Sequence, residues 1–127
     1  MKKEAIFMIY TTLFLFFVIF IIYRSACHNN FDGSWYIGPS KIHGKGVFSN
    51  NDIQKGVLLF EAIDDNQKIS YLGSLINHCS VPNTKLVPIG NKYYLMSITN
   101  INKNDELIAN YYDTPNFIKK PDSNWTC

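Results

Sequence analysis

From Ala5 to Tyr23 the chain carries no charge, proline or glycine, only apolar and aromatic side chains interrupted by Thr11 and Thr12. As a helix rising about 1.5 Å per residue, such a run reaches roughly 28 Å, close to the hydrocarbon thickness of a bilayer. The core helix of a water-soluble protein would show a polar stripe, and this stretch shows none. The sequence therefore predicts one transmembrane helix over residues 5–23, preceded by a short tail, 1–4. A cleaved signal peptide fits less well. The apolar run exceeds a usual signal core, and Tyr23-Arg24-Ser25-Ala26-Cys27 offers no small-x-small cleavage site. Lys2 and Lys3 precede the span and only Arg24 closely follows it, which mildly favours a cytoplasmic N-terminus.

Beyond the span, residues 24–35 read as a polar linker containing Gly33, and the remainder has room for one domain. Of the 12 basic and 10 acidic residues only Lys2, Lys3 and Glu4 lie before the span, so this domain is nearly neutral. With no basic run, nucleic-acid binding is not expected. Cys27, Cys79 and Cys127 are scattered, odd in number and without a C-x-x-C pair. That argues against a disulfide scaffold and against a zinc site built by this chain; no metal is expected. Asn124-Trp125-Thr126 is a glycosylation sequon, usable only in a lumenal setting.

The pattern after the linker is strand and turn. Trp35-Tyr36-Ile37 reads as a first strand, or as an aromatic pair at a membrane interface, broken by Gly38-Pro39. Lys41 to Phe48 and Val57 to Phe60 read as strands around the turn cluster Ser49-Asn50-Asn51-Asp52, and Asp64-Asp65-Asn66-Gln67 ends the second. Leu72 to Ile76 suggests a helical turn. Lys85–Ile89 and Tyr93–Ile98 flank Gly90-Asn91 as a hairpin, and Leu107 to Tyr111 is a last short strand. Short strands with almost no helix predict an all-β domain.

Its focus is Ile76-Asn77-His78-Cys79-Ser80-Val81-Pro82-Asn83, too polar for an ordinary buried strand and barred by Pro82 from a helix interior. By itself it reads equally as a surface turn with an Asx cap or as the lining of a site. Its companions are Gly44-Lys45-Gly46-Val47-Phe48, followed by Asp52-Ile53-Gln54-Lys55-Gly56, and Asn104-Asp105-Glu106-Leu107-Ile108-Ala109-Asn110-Tyr111. In this order the three stretches resemble the SET domain of protein lysine methyltransferases: its opening G-x-G-V-F strand, its N-H-S-C-x-P-N signature and its closing G-E-E-L-x-x-D-Y. The resemblance covers residues 36–115 and leaves 116–127 as a C-terminal tail.

It implies a β-clip fold in which the second and third motifs cross as a pseudoknot, with S-adenosylmethionine as methyl donor and a lysine side chain of a protein as acceptor. Gly44 and Gly46 would bare the backbone to the donor, and Lys45 would pair with its carboxylate. Asn77 and His78 would meet its adenine edge and ammonium. Tyr111 would orient the methyl group as the catalytic residue, the spacing from Glu106-Leu107 favouring it over Tyr112. Tyr71, Tyr93, Tyr94 and Phe117 are candidates for an apolar lysine channel, or equally for core. Asn83 would tie the crossing together by side-chain bonds to the backbone.

Several residues depart from the family pattern. Cys79 and Ser80 stand in reversed order, Asn110 replaces an aspartate, and Ala109 stands where some members carry an aromatic that limits the number of methyl groups added. No tyrosine-bearing strand end is recognisable in Phe60-Glu61-Ala62-Ile63. Only residues 64–74 occupy the place of a helical insert that walls the peptide groove. Substrate recognition would then fall to the tail from Asp113 onward, or to self-association as a homodimer, or would have been lost. Very small members of this kind occur in large DNA viruses and bacteria, and a viral origin would suit the composition. Two readings follow, a membrane-anchored methyltransferase and a non-catalytic SET-like interaction module anchored in a host or virion membrane. The donor's chemistry favours a cytosolic domain, opposite to the side that Lys2 and Lys3 suggest.

Overall fold

The computed structural model describes residues 2–28, 33–125 and 127, with the backbone alone for 23–28. The chain forms two units, Met1–Gly33 and Ser34–Cys127. The first contains α1, Lys2–His28, an unbroken helix of 27 residues. It continues past Tyr23 because no glycine or proline interrupts the chain before Gly33. Its large apolar side chains, from Ile6 to Ile22, are exposed all round, a surface that water alone would not sustain. Thr11 and Thr12 satisfy their hydroxyls inside the helix, donating to the carbonyls of Phe7, Met8 and Ile9. Residues 2–22 are long and apolar enough to cross a membrane, as an N-terminal signal sequence would also be.

In the second unit β1 (Trp35–Pro39) pairs antiparallel with β2 (Lys45–Ser49), Trp35 opposite Ser49 and Pro39 opposite Lys45. Gly38-Pro39, expected to break the first strand, instead completes it; proline is tolerated at the end of an edge strand. A second sheet contains β3 (Leu58–Ile63), β4 (Asn77–His78), β5 (Thr84–Ile89), β6 (Lys92–Ser97) and β7 (Ile108–Ala109), in the order β3-β6-β5-β7-β4. The chain between β3 and β4 has room for one helical turn, α2 (Tyr71–Ser74), capped by Ser70 Oγ accepting from the Gly73 N–H.

β5 and β6 form the hairpin that Gly90-Asn91 encodes, with Gly90 at φ +61°. Ile89 and Lys92 close a two-residue turn and so form a hydrogen-bonded pair, which makes the next pair, Pro88–Tyr93, a non-hydrogen-bonded one. Pro88 therefore turns its nitrogen away from β6 and removes no rung. Lys92 also reaches back to Glu61 on β3 at 3.0 Å.

Val47, Ile76, Leu95, Ile101, Leu107 and Ala109 form the buried core, with Trp35, Phe60 and Leu86 packed against it. Among the described residues one segment joins the two sheets by backbone hydrogen bonds. Leu107 N–H donates to Val47 O at 2.8 Å and Ser49 N–H to Asp105 O at 3.0 Å, while Ile108 and Ala109 run parallel to Asn77 and His78. Asn83 acts as a surrogate strand partner there: its Nδ2 donates to Glu106 O at 2.8 Å and its Oδ1 accepts from Ile108 N–H at 2.9 Å. Among the described residues every buried polar side-chain atom has a partner. Asn83→Ala would strand both backbone groups and is expected to destabilise the fold by about 2–3 kcal/mol, read from the thermal unfolding of the full-length protein in detergent.

Candidate functional site

Three backbone devices bring the predicted residues toward one another. Gly44, at φ +51°, turns the chain between Lys41 and β2. β4 places Asn77 and His78 beside β7. After β7 the chain coils into a single 3₁₀ turn, Tyr111–Asp113, whose N-cap Asn110 accepts the Tyr112 N–H on Oδ1 at 3.0 Å. An amide oxygen serves this cap as a carboxylate would, so Asn110 keeps the turn without the charge.

His78, 7% exposed, and Tyr111 are joined directly: Nδ1 accepts the Tyr111 N–H at 3.0 Å, with ring centroids 5.3 Å apart. The neutral imidazole therefore carries its proton on Nε2. Tyr111 donates its hydroxyl to Ile76 O. Its carbonyl accepts from Thr114 Oγ1 at 2.6 Å and from Lys120 Nζ at 3.2 Å, and Lys120 also donates to Thr114 O at 2.6 Å. Ring, hydroxyl and backbone are thus all anchored. Burial raises the phenol above its ordinary value of 10.0, so it stays a neutral donor throughout the physiological range. Tyr112 is 60% exposed and turns its hydroxyl toward Pro121 O at 3.5 Å.

Tyr111 walls two cavities, and Ser74 shares that wall. One, of about 370 Å³, is lined by Ile42, His43, Asn77, His78, Asn124 and Trp125. The other, of about 300 Å³, is mostly aliphatic, with Ile63, Ile76, Leu86, Leu95 and Phe117 among its walls and Lys119 also on it. Both volumes fall in the range of small-ligand sites. Of the four aromatics offered for an apolar channel or for core, Phe117 lines this cavity; Tyr93 backs Phe117 edge-on at 6.3 Å, Tyr94 is half-buried away from the lining, and Tyr71 is exposed.

The glycine-rich stretch has a different neighbourhood from the one its composition suggests. Gly44, Lys45 and Gly46 do not line either cavity; Ile42 and His43, just before them, line the polar one. A Cβ on Gly46 would lie 2.2 Å from Glu106 Oε1, so the space beside it belongs to that carboxylate. Glu106 is held there by Ser40 Oγ at 2.9 Å and Asn77 Nδ2 at 2.8 Å. Asn77 Nδ2 also donates to His43 O at 3.0 Å and Lys45 O at 3.2 Å, so its amide protons brace the bend.

Sequence reasoning gave the tail a share in substrate recognition but missed its place at the polar cavity. Trp125 stands in the polar cavity with its ring 6.3 Å from that of Tyr111 and the Lys119 ammonium 5.5 Å from its own centroid. It also missed a disulfide: Cys79, beside His78, is bonded to Cys127, two residues beyond Trp125, with Cα atoms 5.2 Å apart. The odd count argued against a disulfide scaffold, but two of three cysteines pair readily once the fold returns the tail to β4. The only signal available was that Cys127 and the sequon tryptophan share one short segment. Among the described residues no group of three His, Cys, Asp or Glu side chains is placed to hold a metal.

No family model matches the chain, and no curated protein matches it. Solved structures do. A candidate histone methyltransferase of Plasmodium falciparum superposes at a TM-score of 0.48 with 24% identity, over 63% of this chain and 94% of that one. A chain of apo ctPRC2, a complex carrying mutations in Ezh2, superposes at 0.51 with 20% identity, over 65% of this chain and 15% of that one. The second likeness shows the fold: the unit Ser34–Cys127 has a SET-like β architecture.

Two outcomes follow from this geometry. Gly46→Ala is expected to expel the Glu106 carboxylate and lower thermal stability by about 2 kcal/mol or more, a loss that Glu106→Ala in the same chain partly restores. Because the Tyr111 pKa is raised on folding, the stability it contributes is complete below pH 10 and is lost as pH rises through the raised value. Tyr111→Phe should therefore flatten the alkaline end of the stability-against-pH curve.

Proposed function

We propose that this protein is a membrane-anchored, S-adenosylmethionine-dependent protein-lysine N-methyltransferase in which Tyr111 orients the transferred methyl group. The observation that carries the reading is the position of Tyr111, the shared wall of a polar cavity and an apolar one. α1 is the membrane anchor.

The residues of the polar cavity suit the donor. Trp125 and His78 offer ring faces and an Nε2–H donor to a purine, and the bend at His43 brings backbone to the rim. Asn77 shapes this wall while its amide protons remain on the bend. Gly44 and Gly46 set the course of that bend, and exposed Lys45 supplies a positive charge for the donor's carboxylate. When bound there, S-adenosylmethionine supplies an electrophilic methyl on a sulfonium.

The chain's own part is positional and electrostatic. The aliphatic walls of the second cavity suit the stem of a lysine and disfavour its ammonium, which leaves the amine neutral and nucleophilic. Tyr111, pinned at its amide, carbonyl and hydroxyl, limits where that amine can approach. Its ring holds water out of the passage, and Ile76 O, which takes its hydroxyl proton, keeps the phenol from turning.

A second reading, an anchored SET-like interaction module without catalysis, draws support from the single turn α2 standing where a groove wall would be. The test uses the full-length protein in nanodiscs with methyl-labelled donor and cell-extract proteins. Tyr111→Phe is expected to lower transfer about 100-fold or more while donor binding and thermal unfolding persist. Undiminished transfer by that variant removes the role given to Tyr111. A wild-type protein that binds no donor at millimolar concentration leaves the interaction module.

A further inference from the structure

The Cys79–Cys127 disulfide joins the two segments that bring His78 and Trp125 to the polar cavity. Cys79 follows His78 on β4, is 4% exposed and donates its N–H to Ala109 O at 3.0 Å, so this end is fixed in the sheet. Cys127 is exposed, and two residues before it Trp125 supplies a wall of the cavity. Among the described residues Trp125 makes an edge-on ring contact with Tyr111, receives the Lys119 ammonium over its ring and forms a turn bond from its own N–H to Asp122 O at 2.9 Å. The disulfide adds to these a covalent tie from the segment carrying this wall back to the sheet.

We infer that the disulfide is a reducible latch on the polar cavity: oxidised, it holds Trp125 as a wall; reduced, it frees the tail and opens the cavity. The chemistry is thiol–disulfide exchange with an external dithiol. One thiolate of the dithiol attacks Sγ of exposed Cys127. The S–S bond breaks with its electron pair on Sγ of Cys79, which takes a proton from water. The second thiolate of the dithiol then displaces Cys127 from the mixed disulfide. The dithiol ends as a cyclic disulfide and the protein as two thiols, so two electrons pass from one to the other. Attack on Cys127 is favoured because Cys79 is shielded.

The latch stands on the geometry of the tail alone; its effect on ligand rests on the donor reading above. The experiment uses the full-length protein in nanodiscs with Cys27→Ser, to leave one redox couple, and Trp35→Phe, to leave one tryptophan. Acrylamide quenching of Trp125 is measured with and without dithiothreitol, beside the affinity for S-adenosylmethionine. Reduction is expected to increase the quenching and weaken the donor about tenfold, through loss of a preformed wall. Cys127→Ser should behave as the reduced protein and ignore dithiothreitol, with its thermal unfolding confirming that the sheet persists. Equal quenching in both states overturns the latch. Increased quenching with unchanged donor affinity overturns its control of the cavity. Increased quenching in a protein that binds no donor in either state upholds the latch and instead removes the methyltransferase reading.

Discussion

Between Asn104 and Ala109 the backbone is hydrogen-bonded along both edges. One edge meets β2 through Asn104, Asp105 and Leu107; the other meets β4, β5 and the amide of Asn83. A segment with partners on both sides cannot slide, because a shift of one residue would bury Glu106 in the core and turn Leu107 out of it. That constraint carries into the site. It fixes the point at which the chain leaves the sheet, and Tyr111 begins two residues later.

The proposed reaction would ask little catalytic apparatus of this site. Its reactive-looking groups are mostly committed to structure: the Asn77 amide braces a bend, the Glu106 carboxylate fills the space beside Gly46, and His78 Nδ1 holds the Tyr111 amide. What remains is shape, a neutral phenol and two cavities of opposite character. Transfer between a cationic donor and a neutral amine asks for alignment and exclusion of water more than for proton traffic. On the proposed reading, α1 as an anchor would add a restriction of place, confining the domain to substrates near one surface.

Most of the fold was legible in the sequence because its cues are local. Gly90-Asn91 encodes a two-residue hairpin whatever surrounds it, and Asp64 to Gln67 ends β3 through Asp64 Oδ1, which accepts from the Asn66 and Lys68 amides. His78 and Tyr111 could be singled out because their motifs are short and ordered. The role of the glycines was harder to read. Gly46 is required by a carboxylate sixty residues away, and no local pattern announces that contact. The tail was least legible of all. Trp125 and Cys127 sit in a polar, turn-rich segment without periodicity, and only the folded sheet shows that it returns to His78.

The close approach of Glu106 to Gly46 has an evolutionary corollary. A side chain at position 46 and the Glu106 carboxylate compete for one space, so a change at either is felt at the other. Related chains should change both together or neither, and a glycine lost at the first should coincide with a shortened or missing acid at the second. Because Ser40 and Asn77 both bond that acid, the drift would spread to four positions, from three separate stretches of the chain, that touch one carboxylate.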